Sequence, residues 1–229
     1  MVYLINAGAE NKMAFDTMEK VRKGKGLTEE QEHIMNNLDL PEWYIDSCKK
    51  IKYMFPKAHA VAYVMLSYRI AYYKINYPLA FYATFFTIKL NDFNGENIIE
   101  GPGFLKNRIK ILKEIQNPTA KDKGEIRVSE VALEMYARGF KFLQADLYKS
   151  KASKFTIEDG KIRMPLRAIP GVGENCANSI EEEAVKSKFL SIEDFSKRTK
   201  AGNSVISILQ KNGMLINLDE TNQISLFNF

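Results

Sequence analysis

The sequence predicts a mainly α protein with little β structure, and three observations carry that expectation. Apolar residues recur at helical spacing through the middle of the chain, as at Val61, Val64, Met65, Tyr68 and Tyr72. Helix-start signals stand ahead of apolar runs: Thr28 followed by Glu29, Glu30 and Gln31 has the form of a capping box, and Pro41-Glu42-Trp43 puts proline in a first helical turn. Only residues 140 to 165 alternate, weakly, through Phe140, Phe142, Leu147, Phe155 and Ile157 around Asp159-Gly160, which predicts one small β-hairpin or extended segment.

In chain order, residues 12 to 38 read as short helices around the basic turn Val21-Arg22-Lys23-Gly24-Lys25-Gly26-Leu27. From Tyr44 to Lys89 the chain is dense in aromatics and lysines, with helix breaks at Pro56 and Pro78. Residues 91 to 103 are turn-rich and read as a boundary. Helices are expected over about 104 to 116 and about 126 to 138, joined by a polar loop, with Gly139 stopping the second. The last third reads as two helix–turn–helix units and a polar tail.

At 229 residues the chain has room for one large domain or two small ones, and its 45% hydrophobic content is enough to fill a core. The formal charge of +5 permits a nucleic-acid partner without requiring one. Two cysteines, Cys48 and Cys176, and two histidines, His33 and His59, argue against a disulfide framework, a four-cysteine zinc site or a histidine-built metal centre. The N-terminus has no basic region followed by a long apolar run, and no uninterrupted apolar stretch reaches the ~18 residues of a membrane span. The expectation is a reduced, soluble, cytoplasmic protein with no membrane partner.

Ile169-Pro170-Gly171-Val172-Gly173 precedes a helix expected from Glu174 to about Val185. Apolar-x-Gly-apolar-Gly is the core of a helix–hairpin–helix DNA-binding motif. Glycines suit it because the turn needs unusual dihedrals and a phosphate must approach the backbone closely. Amides at the turn and at the helix start, Asn175 included, then face one phosphate and hold DNA without reading bases. A second unit follows, with Lys197, Arg198 and Lys200 around its turn and Gly202 and Ser204 leading into Val205-Ile206. Tandem units suit a grip on both strands across a minor groove.

The run from Tyr44 to Tyr63 combines Lys57, His59 and Tyr63 with the small residues Ala58, Ala60 and Ala62. Lysine and histidine donors suit a polyphosphate, and a tyrosine one turn on can stack on a base. The same pattern also suits a buried aromatic helix with a core histidine.

This run resembles the fingers domain of the C-family replicative DNA polymerases, and closely the PolC type. The resemblance rests on Met18 to Leu27, Pro41 to Ala60 and Arg69-Ile70-Ala71-Tyr72, followed in order by Arg138-Gly139-Phe140 and Ile169 to Asn175. It covers essentially the whole chain and is poorest from about 91 to 130. It implies a fingers region at 1–103, connecting helices and a small extended segment at 104–160, a tandem helix–hairpin–helix duplex-binding domain at 161–215 and a flexible tail at 216–229. It further implies that Arg22, Lys25, Lys57, His59, Tyr63 and Arg69 contact the incoming dNTP, and that the partners are primer–template duplex, dNTP, a sliding clamp and the palm and exonuclease parts of the polymerase. In such a polymerase the palm aspartates hold two Mg²⁺ ions. This sequence has no Asp-x-Asp pair, so catalytic residues and bound cofactors are not expected in it. The expectation is a C-terminal fragment, from a truncated, split or incompletely sequenced gene, inactive alone and belonging to a nucleoid-associated replisome. A standalone hairpin module without catalysis is the alternative, and a functionless remnant a third. Finally, Gln223, Ile224, Leu226 and Phe227 resemble the short peptide by which bacterial polymerases hold the clamp, with residues 217 to 221 as a flexible tether.

Overall fold

A computed structural model describes residues 1–221. The clamp-peptide residues Gln223, Ile224, Leu226 and Phe227 lie outside the described residues. The fold is mainly α: α1 (Val2–Asn6), α2 (Asn11–Arg22), α3 (Glu29–Asn37), α4 (Glu42–Lys50), α5 (Lys57–Asn76), α6 (Pro78–Ile88), α7 (Gly95–Ile99), α8 (Pro102–Lys113), α9 (Ala120–Ala137), α10 (Glu174–Lys186), α11 (Ile192–Thr199) and α12 (Asn203–Lys211). Three short strands, β1 (Phe142–Leu143), β2 (Thr156–Glu158) and β3 (Lys161–Arg163), precede α10. The chain divides into two compact units, parting at Arg69/Ile70 inside α5.

In the first unit α1 to α4 surround Leu4, Ala14, Val21, Met35, Ile45 and Cys48. Thr28 caps α3 as expected: its side chain accepts from Gln31 N–H, and Gln31 Oε1 accepts from Thr28 N–H at 3.1 Å. Pro41 is the N-cap of α4 rather than a residue of its first turn. The α2–α3 turn is tied to the segment before α5, where Met54 N–H donates to Arg22 O at 3.0 Å. Gly24, in the left-handed region at φ +71°, packs directly on the Lys52 carbonyl.

α5 forms where the apolar spacing places it, yet no residue of it is buried. Val61, Val64, Met65, Tyr68 and Tyr72 are all exposed, and so is His59. The buried aromatic helix with a core histidine is therefore not what forms. Spacing dictates the helix, whereas burial requires a packing partner.

The second unit is built on an aromatic core. Phe86 of α6 meets Phe93, Phe142 and Phe155 at ring separations of 5.4, 5.1 and 5.7 Å, within the range of favourable aromatic contacts. The expected boundary at 91–103 is instead part of this core: Phe93 and Ile98 are buried, and α7 begins at Gly95, whose added Cβ would lie 2.5 Å from Ala168 O. α9 starts earlier than expected because Thr119 and Asp122 close a capping box. Glu125 on α9 then takes Arg108 of α8 bidentately at 2.8 and 3.2 Å. Tyr136 O–H donates to Ile98 O at 2.8 Å, and burial pushes its phenol up to about 12. Gly139 (φ +85°) stops α9.

β2 and β3 pair antiparallel through Asp159 and Gly160, both at positive φ, as an Asp-Gly hairpin requires. β1 adds to β3 in parallel, giving the order β1-β3-β2. Arg163 first, then Lys149, holds the Glu158 carboxyl on β2 down at about 2, against an ordinary 4.5. A depressed carboxyl stabilises the fold above its unfolded value and loses that contribution as pH falls through the folded one. The melting temperature of Glu158→Gln is therefore expected to fall less steeply than the parent's between about pH 4.5 and pH 2; parallel acid titration curves would refute the assignment.

Candidate nucleic-acid interface

The first hairpin turns at Gly171 (φ +91°), closed by Val172 N–H donating to Ile169 O at 3.1 Å. Val172 is buried, and Gly173 is the N-cap of α10 at φ −74°, ψ 162°. Ala177 and Ile180 anchor the helix inward. The second hairpin repeats this pattern. Lys200 stands in the left-handed conformation at φ 53°, Ala201 is buried, and Gly202 caps α12 at φ −76°, ψ 163°. Ile206 and Leu209 anchor α12. Every correspondence has one offset, 200 − 171 = 202 − 173 = 206 − 177 = 209 − 180 = 29.

Both helices begin without a capping side chain, since glycine has none to offer. By contrast, α3, α9 and α11 fill their first turns with Thr28, Thr119 and Ser191. Uncapped helix starts leave N–H donors and the positive dipole end facing outward, an arrangement suited to a phosphate oxygen. Gly171, Gly173, Asn175, Gly202 and Ser204 are exposed. The unusual dihedral belongs to Gly171 alone in the first hairpin; at Gly173 the backbone is ordinary, and the open space around it is what matters.

The structure separates the other candidates of this region. Val172 supports the hairpin from inside the core, so only its backbone can face a ligand. Arg198 does not project as a free cation: its guanidinium donates to the carbonyls of Glu183, Ser187 and Lys188, pairs with Glu183 and Asp194, and lies 4.5 Å from the Phe189 ring centroid. It ties the end of α10 to α11. Lys197 pairs with Glu193 at 2.6 Å but remains exposed. Lys200 has no acidic partner among the described residues. A cavity of about 510 Å³ beside the first hairpin is lined by Arg108, Lys121 and Arg167 together with Asp122, Glu125 and Glu174. Sequence reading missed these cations because they stand on α8, α9 and the turn before the hairpin. The tether also differs from expectation: Ile192 N–H donates to Asp219 O at 2.8 Å and Glu193 N–H to Glu220 O at 3.1 Å, so the chain is held to α11 through Glu220.

The six nucleotide-pocket candidates all fall in the first unit. Arg22 is held bidentately by Glu19 at 2.8 and 3.1 Å, which draws the Glu19 carboxyl down to about 2. Lys25 is exposed on the α2–α3 turn. On α5, His59 and Tyr63 are in ring contact at 4.4 Å. Lys57 and Arg69 are exposed on the same helix, but at about 100° per residue they leave on different sides from that pair. Among the described residues no three His, Cys, Asp or Glu side chains are placed to hold a metal. Among them, too, no helix is long and apolar enough to cross a membrane.

Comparison with known proteins agrees with the hairpins and extends beyond them. A family profile described as "Helix-hairpin-helix motif" matches residues 139–224. The chain is 50% identical over 228 residues to the DNA polymerase III PolC-type of Clostridium perfringens, 48% over 227 to that of Thermotoga maritima and 45% over 231 to that of Bacillus subtilis. Each alignment covers 99% of this chain but only 16 or 17% of the relative, so the chain spans about one sixth of the length of the curated relatives it matches. Over nearly all of its residues the chain is thus similar to about one sixth of the PolC-type DNA polymerase III proteins, and it carries a helix–hairpin–helix motif.

Proposed function

We propose that this chain is the fingers and duplex-binding part of a replicative DNA-directed DNA polymerase. The parent reaction adds a deoxynucleotide to a primer 3′-hydroxyl with release of pyrophosphate. The observation that carries the duplex role is the pair of hairpins, each ending in a glycine N-cap of the same conformation with no capping side chain. Gly171, Gly173 and Asn175 grip one backbone, and Lys200, Gly202 and Ser204 the other, with Lys197 adding charge from the rim. Homology over the first 138 residues, outside the hairpin profile, favours the polymerase reading over a standalone hairpin module.

In this reading the first unit acts as fingers. Lys57, His59 and Tyr63 meet the incoming dNTP, while Arg22, Lys25 and Arg69 reach its phosphates once the palm is in place. The palm and exonuclease parts are the partners that supply carboxylates and Mg²⁺. Gln223, Ile224, Leu226 and Phe227 engage the sliding clamp, placing the protein in a cytoplasmic, nucleoid-associated replisome.

Titration of a labelled primer–template duplex at several salt concentrations tests the proposal. Affinity is expected to be indifferent to sequence and to fall with salt, with a log–log slope of about −0.9 per phosphate neutralised. Purified clamp should tighten the complex, and no primer extension should occur with Mg²⁺ and dNTPs. Salt-insensitive or sequence-selective binding would overturn the hairpin grip, robust incorporation the division of labour, and indifference to the clamp the peptide's role.

A further inference from the structure

The two hairpins carry their cations at different places. Along the 29-residue correspondence, Lys200 of the second hairpin stands where the first has Gly171, so the first turn itself brings no charge. Arg167 lies four residues ahead of that glycine, in the short turn Leu166–Ala168. Its counterpart by the same offset is Ser196, whose O–H donates to Ala201 O at 3.1 Å within the second hairpin. The cavity of about 510 Å³ beside the first hairpin is lined by Arg167 together with Gly171 and Gly173, so the guanidinium and the glycines face one space.

Neutral groups hold the Arg167 guanidinium. Nη2 donates to Asn91 Oδ1 at 2.9 Å, and Nη1 lies 3.5 Å from Ser153 Oγ. Neither acceptor is charged, so the cation is placed without being neutralised. Its anionic partner is Glu174, the first residue of α10, 3.6 Å away and with a side chain 62% exposed. Arg108 and Arg163, by contrast, grip Glu125 and Glu158 at 2.8 and 2.7 Å. The other carboxylates lining the cavity are half-buried and engaged elsewhere: Glu125 with Arg108, Asp122 with Thr119, and Asp92 packed on Gly124. An exposed pair as long as that of Arg167 and Glu174 contributes little. A planar guanidinium fork suits a phosphate better than one distant carboxylate oxygen. The free protein thus keeps an exchangeable anion beside the hairpin, at the one arginine that shares its space.

We propose that Arg167 is a further duplex-binding residue and that Glu174 is its placeholder. On binding, a phosphate oxygen of the strand held at Gly171 and Gly173 takes the place of the carboxylate on Nη1. This rests on the reading of the hairpins as duplex grips and adds to it a cation with a displaceable counter-ion.

The test uses the full chain and a labelled duplex titrated at several salt concentrations, with thermal melts alongside. Arg167→Gln is expected to weaken binding about tenfold, the size of one charge-assisted contact, and to reduce the salt slope by about 0.9. Arg167→Lys keeps the charge but not the fork, so it should keep the parent slope while losing part of the affinity. Glu174→Gln should tighten binding severalfold, because a competing anion has gone, and that gain should shrink in the Arg167→Gln background. A role confined to tying the turn to Asn91 would lower the melting temperature of Arg167→Gln without moving the slope. The inference is overturned if Arg167→Gln keeps the parent slope, or if Glu174→Gln leaves duplex affinity unchanged or weaker. If Gly173→Val still costs affinity in that case, the hairpin reading stands and only the role of Arg167 falls. A parent chain that binds no duplex overturns both.

Discussion

Gly24→Ala is expected to abolish the cooperative melting of the first unit, while Gly26→Ala, two residues on, lowers its melting temperature by only several degrees. Both glycines stand at nearly the same left-handed φ, +71° and +69°. A side chain at either therefore costs about 1–2 kcal/mol in backbone strain. For a unit of about 70 residues that is a shift of several degrees. The difference lies in what a Cβ would meet. At Gly26 nothing lies within 4 Å, but at Gly24 the Cβ would overlap the Lys52 carbonyl carbon and oxygen. Backbone cannot yield as a side chain does, so the turn must lift away, breaking the Arg22 O to Met54 N–H bond and the seat of the segment before α5. Strain plus a lost backbone pairing puts the cost above about 3 kcal/mol, a large share of the stability of so small a unit. Thermal melts of both variants decide the matter: equal shifts would show that the close packing on Lys52 contributes nothing.

The two glycines also show how far the sequence can be read. Gly24 and Gly26 look alike in the basic turn, and only the three-dimensional approach of Lys52 separates them. Local signals were legible wherever the cause was local. The Thr28 capping box, the Asp159-Gly160 hairpin and the Gly139 stop all form as their sequences predict. Turn residues mislead when a turn is buried. Asn91, Asp92, Asn94 and Gly95 read as a boundary, but the tight path they allow brings Phe93 and Ile98 into the core and Gly95 against Ala168. The second hairpin was recognisable by its glycine and its charges, whereas its 29-residue equivalence to the first was hidden because Lys200 stands where the first hairpin has Gly171. By sequence Arg198 is one of those phosphate-facing charges, but its acceptors at Glu183, Ser187 and Lys188 are 10 to 15 residues away, and composition cannot reveal them. α5 is the reverse case: its spacing dictates a helix, and nothing within the described residues buries it.

Gly173→Val is expected to cut duplex affinity by tenfold or more without lowering the melting temperature of the second unit. Gly171→Val should lose both. Gly173 stands at φ −74°, ψ 162°, a conformation open to any L-residue, and a Cβ there meets nothing within 4 Å. The fold therefore tolerates the side chain, but the space it fills is where a phosphate must come to reach the uncapped amides of α10. Each charge-assisted hydrogen bond lost is worth about 1.5–3 kcal/mol, and 1.4 kcal/mol is already tenfold in affinity. Gly171, by contrast, is left-handed at φ +91°, and its Cβ would lie 2.5 Å from Ile208 Cδ1 on α12, the helix of the second hairpin. A β-branched residue at that φ strains the turn, and the end of the Ile208 side chain must swing aside to admit it, so loss of binding there cannot be separated from loss of packing. Gly202, in the same conformation as Gly173 and with the same open surroundings, supplies an independent check. Gly202→Val should weaken binding by a similar factor, and the double variant should lose roughly the product if each hairpin holds its own phosphate. Anisotropy titrations with duplex at fixed salt, paired with thermal melts, give both quantities. If Gly173→Val and Gly202→Val keep the parent's melting temperature and its duplex affinity, the two hairpins are connecting loops and the grip on DNA lies elsewhere in the chain.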